Sequence, residues 1–172
     1  MDSGFDIFQN SGYNFDRTPK KTLLVRWHST AADKQTIDLS LTEPLKIDVL
    51  SDIYLDNFTT FHENSSGSFN TPEKSAFVLN INEFNTQSNI AGPDSKRNNI
   101  FNNIVIPSDA LSKLANTKVT KSHKSKKMNY ICSINPTIIS KITGKVTDLD
   151  GHDIFNDTKD MFLAEFVFVA RK

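Results

Sequence analysis

The sequence has little of what disulfide-held, membrane-spanning or nucleic-acid-binding proteins need. Cys132 is the one cysteine among 172 residues. No intrachain disulfide can form, so the core alone must hold the fold. No apolar run approaches the roughly 20 residues of a membrane-spanning helix. Met1 to Asn10 is acidic and has no apolar stretch, so no secretory signal is expected. Charge of one sign is also missing, because 20 basic and 20 acidic side chains cancel to a formal net charge of 0. A neutral chain has no global field to gather nucleic acid or an anionic membrane surface. It also has little self-repulsion, which permits close packing among neighbours. A reducing compartment is expected. The Asn-x-Ser/Thr triplets at Asn57, Asn64 and Asn156 then carry no expectation of glycosylation.

Chemistry is as sparse. The histidines at 28, 62, 123 and 152 are far apart, and none shows metal-ligand spacing. His28 alternates within a strand-like run and reads as a sheet histidine. Cys132 lies in an apolar run, where cysteine acts as a small buried hydrophobe. Asp148-Leu-Asp-Gly-His-Asp153 is like the opening of a calcium loop. Its Gly151 comes too early, though, and Lys159 stands where the distal Glu belongs. A hairpin turn fits better, with Gly151 supplying a positive φ. No Gly-rich phosphate loop and no Gly-x-Ser-x-Gly elbow occurs. The expectation is a non-enzyme with no catalytic residue, no metal, no cofactor and no small-molecule substrate.

What the chain does have is phenylalanine, 13 in all, among short β-rich runs. With Ile, Val and Leu, these exclude global disorder. Lys21–His28 is β-rich. Thr36–Leu41 alternates, with Ile37, Leu39 and Leu41 on one face. Glu43-Pro44 interrupts, and Leu45, Ile47 and Val49 alternate again. Further strands are predicted over 53–61, 75–84 (Phe77, Leu79 and Ile81 on one face), 99–106, 130–134 and 138–147. The last run, Met161–Val169, is apolar on both faces and reads as central and covered. Polar stretches at 62–74, 85–99 and 116–129 read as loops, and 108–115 alone has helix-like spacing. Eight or nine short strands with frequent turns describe an antiparallel all-β sandwich or barrel. Residues 1–20 form an expected extended arm and 21–172 a single domain.

Two stretches are candidate contact surfaces. In the arm, Phe5, Ile7, Phe8, Tyr13 and Phe15 sit among Asp, Asn, Gly and Ser with no strand or helix period. A solvated tail has no use for so many large apolar side chains, so Phe5, Phe8, Tyr13 and Phe15 are candidate anchors on a neighbour. Lys118, Lys121, Lys124, Lys126 and Lys127 form the one charge cluster. With no aromatic interleaved between 118 and 129, single-stranded nucleic acid is not expected there. An acidic protein face or phosphates remain.

The order of features resembles a known family. Lys46-Ile-Asp-Val-Leu-Ser-Asp-Ile-Tyr-Leu55 is followed by Phe77-Val-Leu-Asn-Ile-Asn-Glu-Phe84 and by Asn98-Asn-Ile-Phe-Asn-Asn-Ile-Val-Ile-Pro107. The chain closes on Ile139-Ser-Lys-Ile-Thr-Gly-Lys-Val-Thr-Asp-Leu-Asp-Gly151 and a hydrophobic last strand. Over about residues 20–172 this layout resembles the single jelly-roll penton and minor capsid proteins of large icosahedral double-stranded DNA viruses. The resemblance implies an eight-stranded jelly roll without cofactor or catalytic residues. It implies a place in the virion capsid after synthesis in the host cytoplasm, and other capsid proteins, including a major capsid protein, as partners. A penton would be a pentamer. The rival expectation is a ligand-binding jelly roll for carbohydrate or receptor attachment, with Trp27 and Tyr54 as stacking platforms. Trp27, flanked by apolar residues, reads rather as core.

Overall fold

A computed structural model describes residues 20–30, 32–62, 76–84, 103–107, 119–123, 128–155, 158 and 160–171. For residues 62 and 119–123 only the backbone is described. All of the expected arm over 1–20 except Lys20, which opens a strand, lies outside these residues, as do most of the polar loops and the helix-like 108–115.

Among the described residues nine strands appear: β1 (Lys20–His28), β2 (Thr36–Ile47), β3 (Ser51–His62), β4 (Ala76–Ile81), β5 (Asn103–Pro107), β6 (Val119–His123), β7 (Asn129–Ile134), β8 (Thr137–Thr147) and β9 (Met161–Ala170). They form two antiparallel sheets, ordered β1-β9-β3-β6/β7 and β2-β8-β4-β5. β6 and β7 share one place. β6 pairs with Phe58–His62 of β3, and β7 pairs with Ser51–Leu55 of the same edge. The nine strands therefore fill eight positions. The first position pairs with the eighth, the second with the seventh, the third with the sixth and the fourth with the fifth. That nested pairing in two four-position sheets is a jelly-roll sandwich.

The core is the filling between the sheets. β9 is central and sends Phe162, Ala164, Phe166 and Phe168 inward. β1 adds Leu23, Val25 and Trp27, and β3 adds Ile53, Leu55 and Phe58. The other sheet answers with Ile37, Phe77, Leu79, Ile81, Ile142 and Val146. Phe58 stacks on Phe162 at 5.4 Å and meets Phe77 at 5.4 Å across the sandwich. Both ends are stoppered by loop phenylalanines. Phe155 fits against Trp27 (5.3 Å) and Phe77 (5.9 Å), and Phe84 packs edge-on against Phe166 (4.9 Å).

Several details differ from the sequence-based expectation. Glu43-Pro44 does not end a strand. β2 runs on to Ile47, and its pairing with β8 shifts register between Ser40 and Leu45. A bulge absorbs the proline, which has no N–H to give the ladder. Val49, predicted inward, is 47 % exposed, because the strand ends at Ile47 and the alternation no longer applies at the corner. Val119–His123, expected in a loop, is a strand. Asp148–Gly151 turns as expected, with Gly151 at φ 81°. It is not a hairpin, because β8 and β9 belong to different sheets. β9 is central as predicted, but its outer face is only half-buried.

β8 and β4 approach closely at Gly144. A Cβ built there would lie 1.9 Å from the Asn80 carbonyl oxygen. Just beyond, β4 ends and Glu83 takes over its ladder. Its carboxylate accepts the Thr143 N–H (2.9 Å) and the Thr143 hydroxyl (2.8 Å), while the Asn82 N–H donates to the Thr143 carbonyl (2.9 Å). Where β6 gives way to β7, Met128 has a φ of 61°, the one non-glycine residue with positive φ among those described.

Candidate functional site

The jelly roll has two outer faces, and they differ. On the β2–β8 half of one sheet Thr36, Asp38, Ser40, Lys141 and Lys145 are exposed, Thr143 is half-buried, and Ile138 is 64 % exposed. Asp38 and Lys141 pair at 2.8 Å. Apart from Ile138, that half is polar. The outer face of the β9 sheet is largely apolar along its middle. Strand alternation turns Met161, Leu163, Glu165, Val167 and Val169 outward from β9, and all are half-buried. Beside them lie Leu24 (59 % exposed), Phe61 (36 %) and Tyr130 (54 %).

Two adjacent rows of this face bring aromatic and charged groups together. Val167 of β9 pairs with Tyr54 of β3, which pairs with Tyr130 of β7. The two tyrosines meet edge-on at 5.8 Å. In the next row Asp52 accepts hydrogen bonds from the Ser133 hydroxyl (2.7 Å) and from Arg171 Nε (2.8 Å), and Ser133 in turn is 3.0 Å from the Tyr130 hydroxyl. Partial burial pushes the Asp52 carboxyl up, but the bonds from Arg171 and Ser133 outweigh it and hold the group below its ordinary value. The same contact raises Arg171. A second charge cluster sits where the chain enters β1. Lys21 and Lys46 both bind Asp48 at 2.9 Å, and Lys21 also donates to the Lys46 carbonyl. These bonds hold Asp48 below its ordinary value.

The opposite end, built from the β1–β2 and β8–β9 connections, carries a shallow polar cleft lined by Asp33, Lys34, Gln35, Thr36 and Asp153. The Asp33 carboxylate is spent on its own turn, accepting the Gln35 and Thr36 N–H groups at 2.9 and 2.8 Å. Those backbone bonds lower its pKa. Asp148 likewise accepts the Asp150 and His152 N–H groups, both at 2.8 Å. Its carboxylate closes a turn, as an Asx motif does. Among the described residues no group of three or more His, Cys, Asp or Glu side chains is placed to hold a metal ion. No described helix is long and apolar enough to cross a membrane.

The candidates from the sequence fall as follows. Phe5, Phe8, Tyr13, Phe15, Lys124, Lys126 and Lys127 lie outside the described residues. Lys121 is in β6, where it pairs with Thr60 of β3. Trp27 is core, 4 % exposed, with its indole N–H on the Thr36 carbonyl (2.7 Å) and its ring stacked on Phe162. It is no stacking platform. Tyr54 is on the outer face. His28 is an exposed sheet residue and Cys132 is buried. Sequence reasoning missed Tyr130, Asp52 and Arg171. The signal was there in part, since Tyr130 and Asp52 open strands whose next residues alternate inward.

No protein-family model matches the chain, and neither the curated proteins nor the solved structures give a match. The fold class rests on the strand pairing itself.

Proposed function

We propose that the protein is a structural component of an icosahedral viral capsid, a penton or minor capsid protein, acting through contacts with neighbouring coat proteins. The observation that carries this reading is the apolar outer face of the β9 sheet on a jelly-roll frame. A rigid sandwich that keeps Leu24, Phe61, Tyr130 and the outward residues of β9 at its surface has contact area to offer. Fold alone does not define function. The sequence resemblance supplies the setting, and the aromatic residues of 1–19 supply further anchors. Many modest interfaces then add through multivalency. No substrate or cofactor is part of this reading.

The test is the mass of the full chain in solution, together with co-purification with the major coat protein encoded in the same genome. A pentamer supports the penton, and a monomer that binds the coat protein supports a minor capsid position. A monomer that neither self-associates nor binds sinks the proposal. Removal of residues 1–18 is expected to leave the sheet signal and melting intact and to abolish binding. Undiminished binding would remove the arm as an anchor.

A second reading is favoured by one observation. Half-exposed Tyr130 beside Tyr54, flanked by Asp52 and Arg171, has the composition of a sugar-stacking surface. A glycan array without hits eliminates it.

A further inference from the structure

Each sheet of the sandwich ends in two edges, and three of the four are blunted. β2 carries Pro44 and is bent by the bulge between Ser40 and Leu45. β5 has 5 residues and ends on Pro107. The β6/β7 edge is interrupted between His123 and Asn129. Bulges, prolines and short or broken edges keep a sheet from adding a foreign strand. β1 has none of these. It runs 9 residues in unbroken register with β9 and contains no proline.

The direction of its backbone groups follows from two hydrogen bonds at the ends of β9. The Ser29 N–H donates to the Asp160 carbonyl (2.8 Å), and the Arg171 N–H donates to the Leu50 carbonyl (2.8 Å). Backbone groups alternate sides along a strand, so the even-numbered residues of β9 bond to β1 and the odd-numbered ones to β3. Through the register, Lys21, Leu23, Val25 and Trp27 are the residues of β1 that bond to β9. The N–H and C=O groups of Thr22, Leu24 and Arg26 point away from the sheet and have no backbone partner among the described residues. Their side chains are exposed. The strand is also held from below. Lys21 ties it to the Lys46 carbonyl and to Asp48, and the Trp27 indole ties it to the Thr36 carbonyl, so both ends are fixed to the β2 side. Between those ties Leu39, Leu41 and Leu45 of β2 pack against the core yet stay half-buried.

We infer that β1 pairs antiparallel with β1 of a second copy, about a two-fold axis at Leu24. The strand is complementary to itself. Leu24 is the middle residue of Lys20–His28, and Thr22 and Arg26 stand symmetrically on either side. The axis sets Leu24 opposite Leu24 of the other copy and Thr22 opposite Arg26, so no like charges face each other at the three central pairs. Each pair exchanges two backbone bonds, about six in all. The half-buried leucines of β2 border the same flank and are covered with it. The net charge of 0 adds no general repulsion between copies. A two-fold contact suits a minor capsid position better than a fivefold penton, but the pairing is built from β1 alone and does not depend on the capsid reading.

The experiment is sedimentation equilibrium of the full chain at concentrations about a hundredfold apart, with Leu24→Lys, Leu24→Glu and an equal mixture of the two. The native chain is expected to pass from monomer to dimer as concentration rises. Each variant alone should associate about tenfold more weakly or worse, because the axis sets like charge against like, and the mixture should regain the dimer. A native chain that stays monomeric throughout, or associates only as a pentamer, overturns the inference. So does a dimer that survives in both single variants, or a mixture no better than its parts. Amide exchange of the native chain gives a second readout that needs no variant. Thr22, Leu24 and Arg26 should slow as concentration rises, while Leu23, Val25 and Trp27 are slow throughout. If the first three exchange at one rate at every concentration, β1 is not the pairing edge. The isolated chain suffices for these measurements, so their failure is separate from failure to bind a coat protein.

Discussion

Replacing Gly144 by alanine should damage the fold more than any exposed substitution, and the reason is space. The added methyl would sit 1.9 Å from the Asn80 carbonyl oxygen, 2.8 Å from its carbon and 3.2 Å from the Ile81 Cα. All three are backbone atoms, so no side chain can swing aside. β4 and β8 would have to part by more than about 1 Å in an interior packed as densely as a crystal. The parting strains the ladder that pairs Asn80 with Lys145 and Ile81 with Gly144, and the Asn82 and Glu83 bonds to Thr143 beyond it. Two such bonds weakened at about 1 kcal/mol each, with about 1–3 kcal/mol for forcing volume into a packed core, give roughly 3–5 kcal/mol. Domains of this size are stable by only about 5–15 kcal/mol. Urea unfolding followed by the fluorescence of Trp27, buried against Phe155 and Phe162, measures the loss. Gly151→Ala is the control. Its φ is 81° but nothing lies within 4 Å of the added methyl, so only the left-handed backbone penalty of about 1–2 kcal/mol applies. If Gly144→Ala costs no more than Gly151→Ala, close strand approach is not what that glycine provides.

Other outcomes follow from the same packing and hydrogen bonds. Phe162→Ala removes a ring held by Phe58, Trp27 and Phe155 and should cost about 3–5 kcal/mol in urea unfolding; a loss near 1 kcal/mol would contradict a shared aromatic core. Glu83→Ala strips two acceptors from Thr143 and should cost about 1–3 kcal/mol, with faster amide exchange at Thr143 as the specific readout. The carboxyls of Asp33 and Asp52 are held below the ordinary value of 3.8. Their contribution is complete above that pH and is lost as pH falls through the lowered values. Unfolding midpoints at pH 5 and pH 3 should therefore differ less in Asp52→Asn than in the native chain, and equal differences would refute the role of the Arg171–Ser133 bonds.

Strands that alternate were legible in the sequence. Ile37 and Leu39, Phe77 and Leu79, and the inward phenylalanines of β9 could be placed because a period of two puts one face on the core. Three kinds of feature did not follow from that rule. β6 carries Val-Thr-Lys-Ser-His and no alternating apolar residue. It joins the sheet through backbone bonds to β3, which need no particular side chain. Phe84 and Phe155 are as buried as any strand residue but belong to turns, where no period announces them. The Asp148–Gly151 turn was readable as a turn, but which sheet the next strand enters is a matter of topology. The face now offered for contact was half visible. Tyr54 stood out by type, whereas Tyr130, Asp52 and Arg171 become neighbours only when β7, β3 and the end of β9 are brought side by side.

The shared place of β6 and β7 has a consequence for how this protein can vary. His123 pairs with Phe58 and Asn129 with Leu55. β3 therefore advances three residues, about 10 Å, while the other chain spends six. The chain leaves the ladder and rejoins it almost where it left, and Met128 makes the return with its positive φ. Both ends of that detour are fixed by pairing. Closing a longer loop between them costs only about 0.6 kcal/mol for each doubling of its length. Extra residues placed between 123 and 128 would leave the pairing of both strands with β3 in register. This is a point where a lineage can lengthen the chain, or an engineer can insert a foreign peptide for display, at little cost to the sandwich.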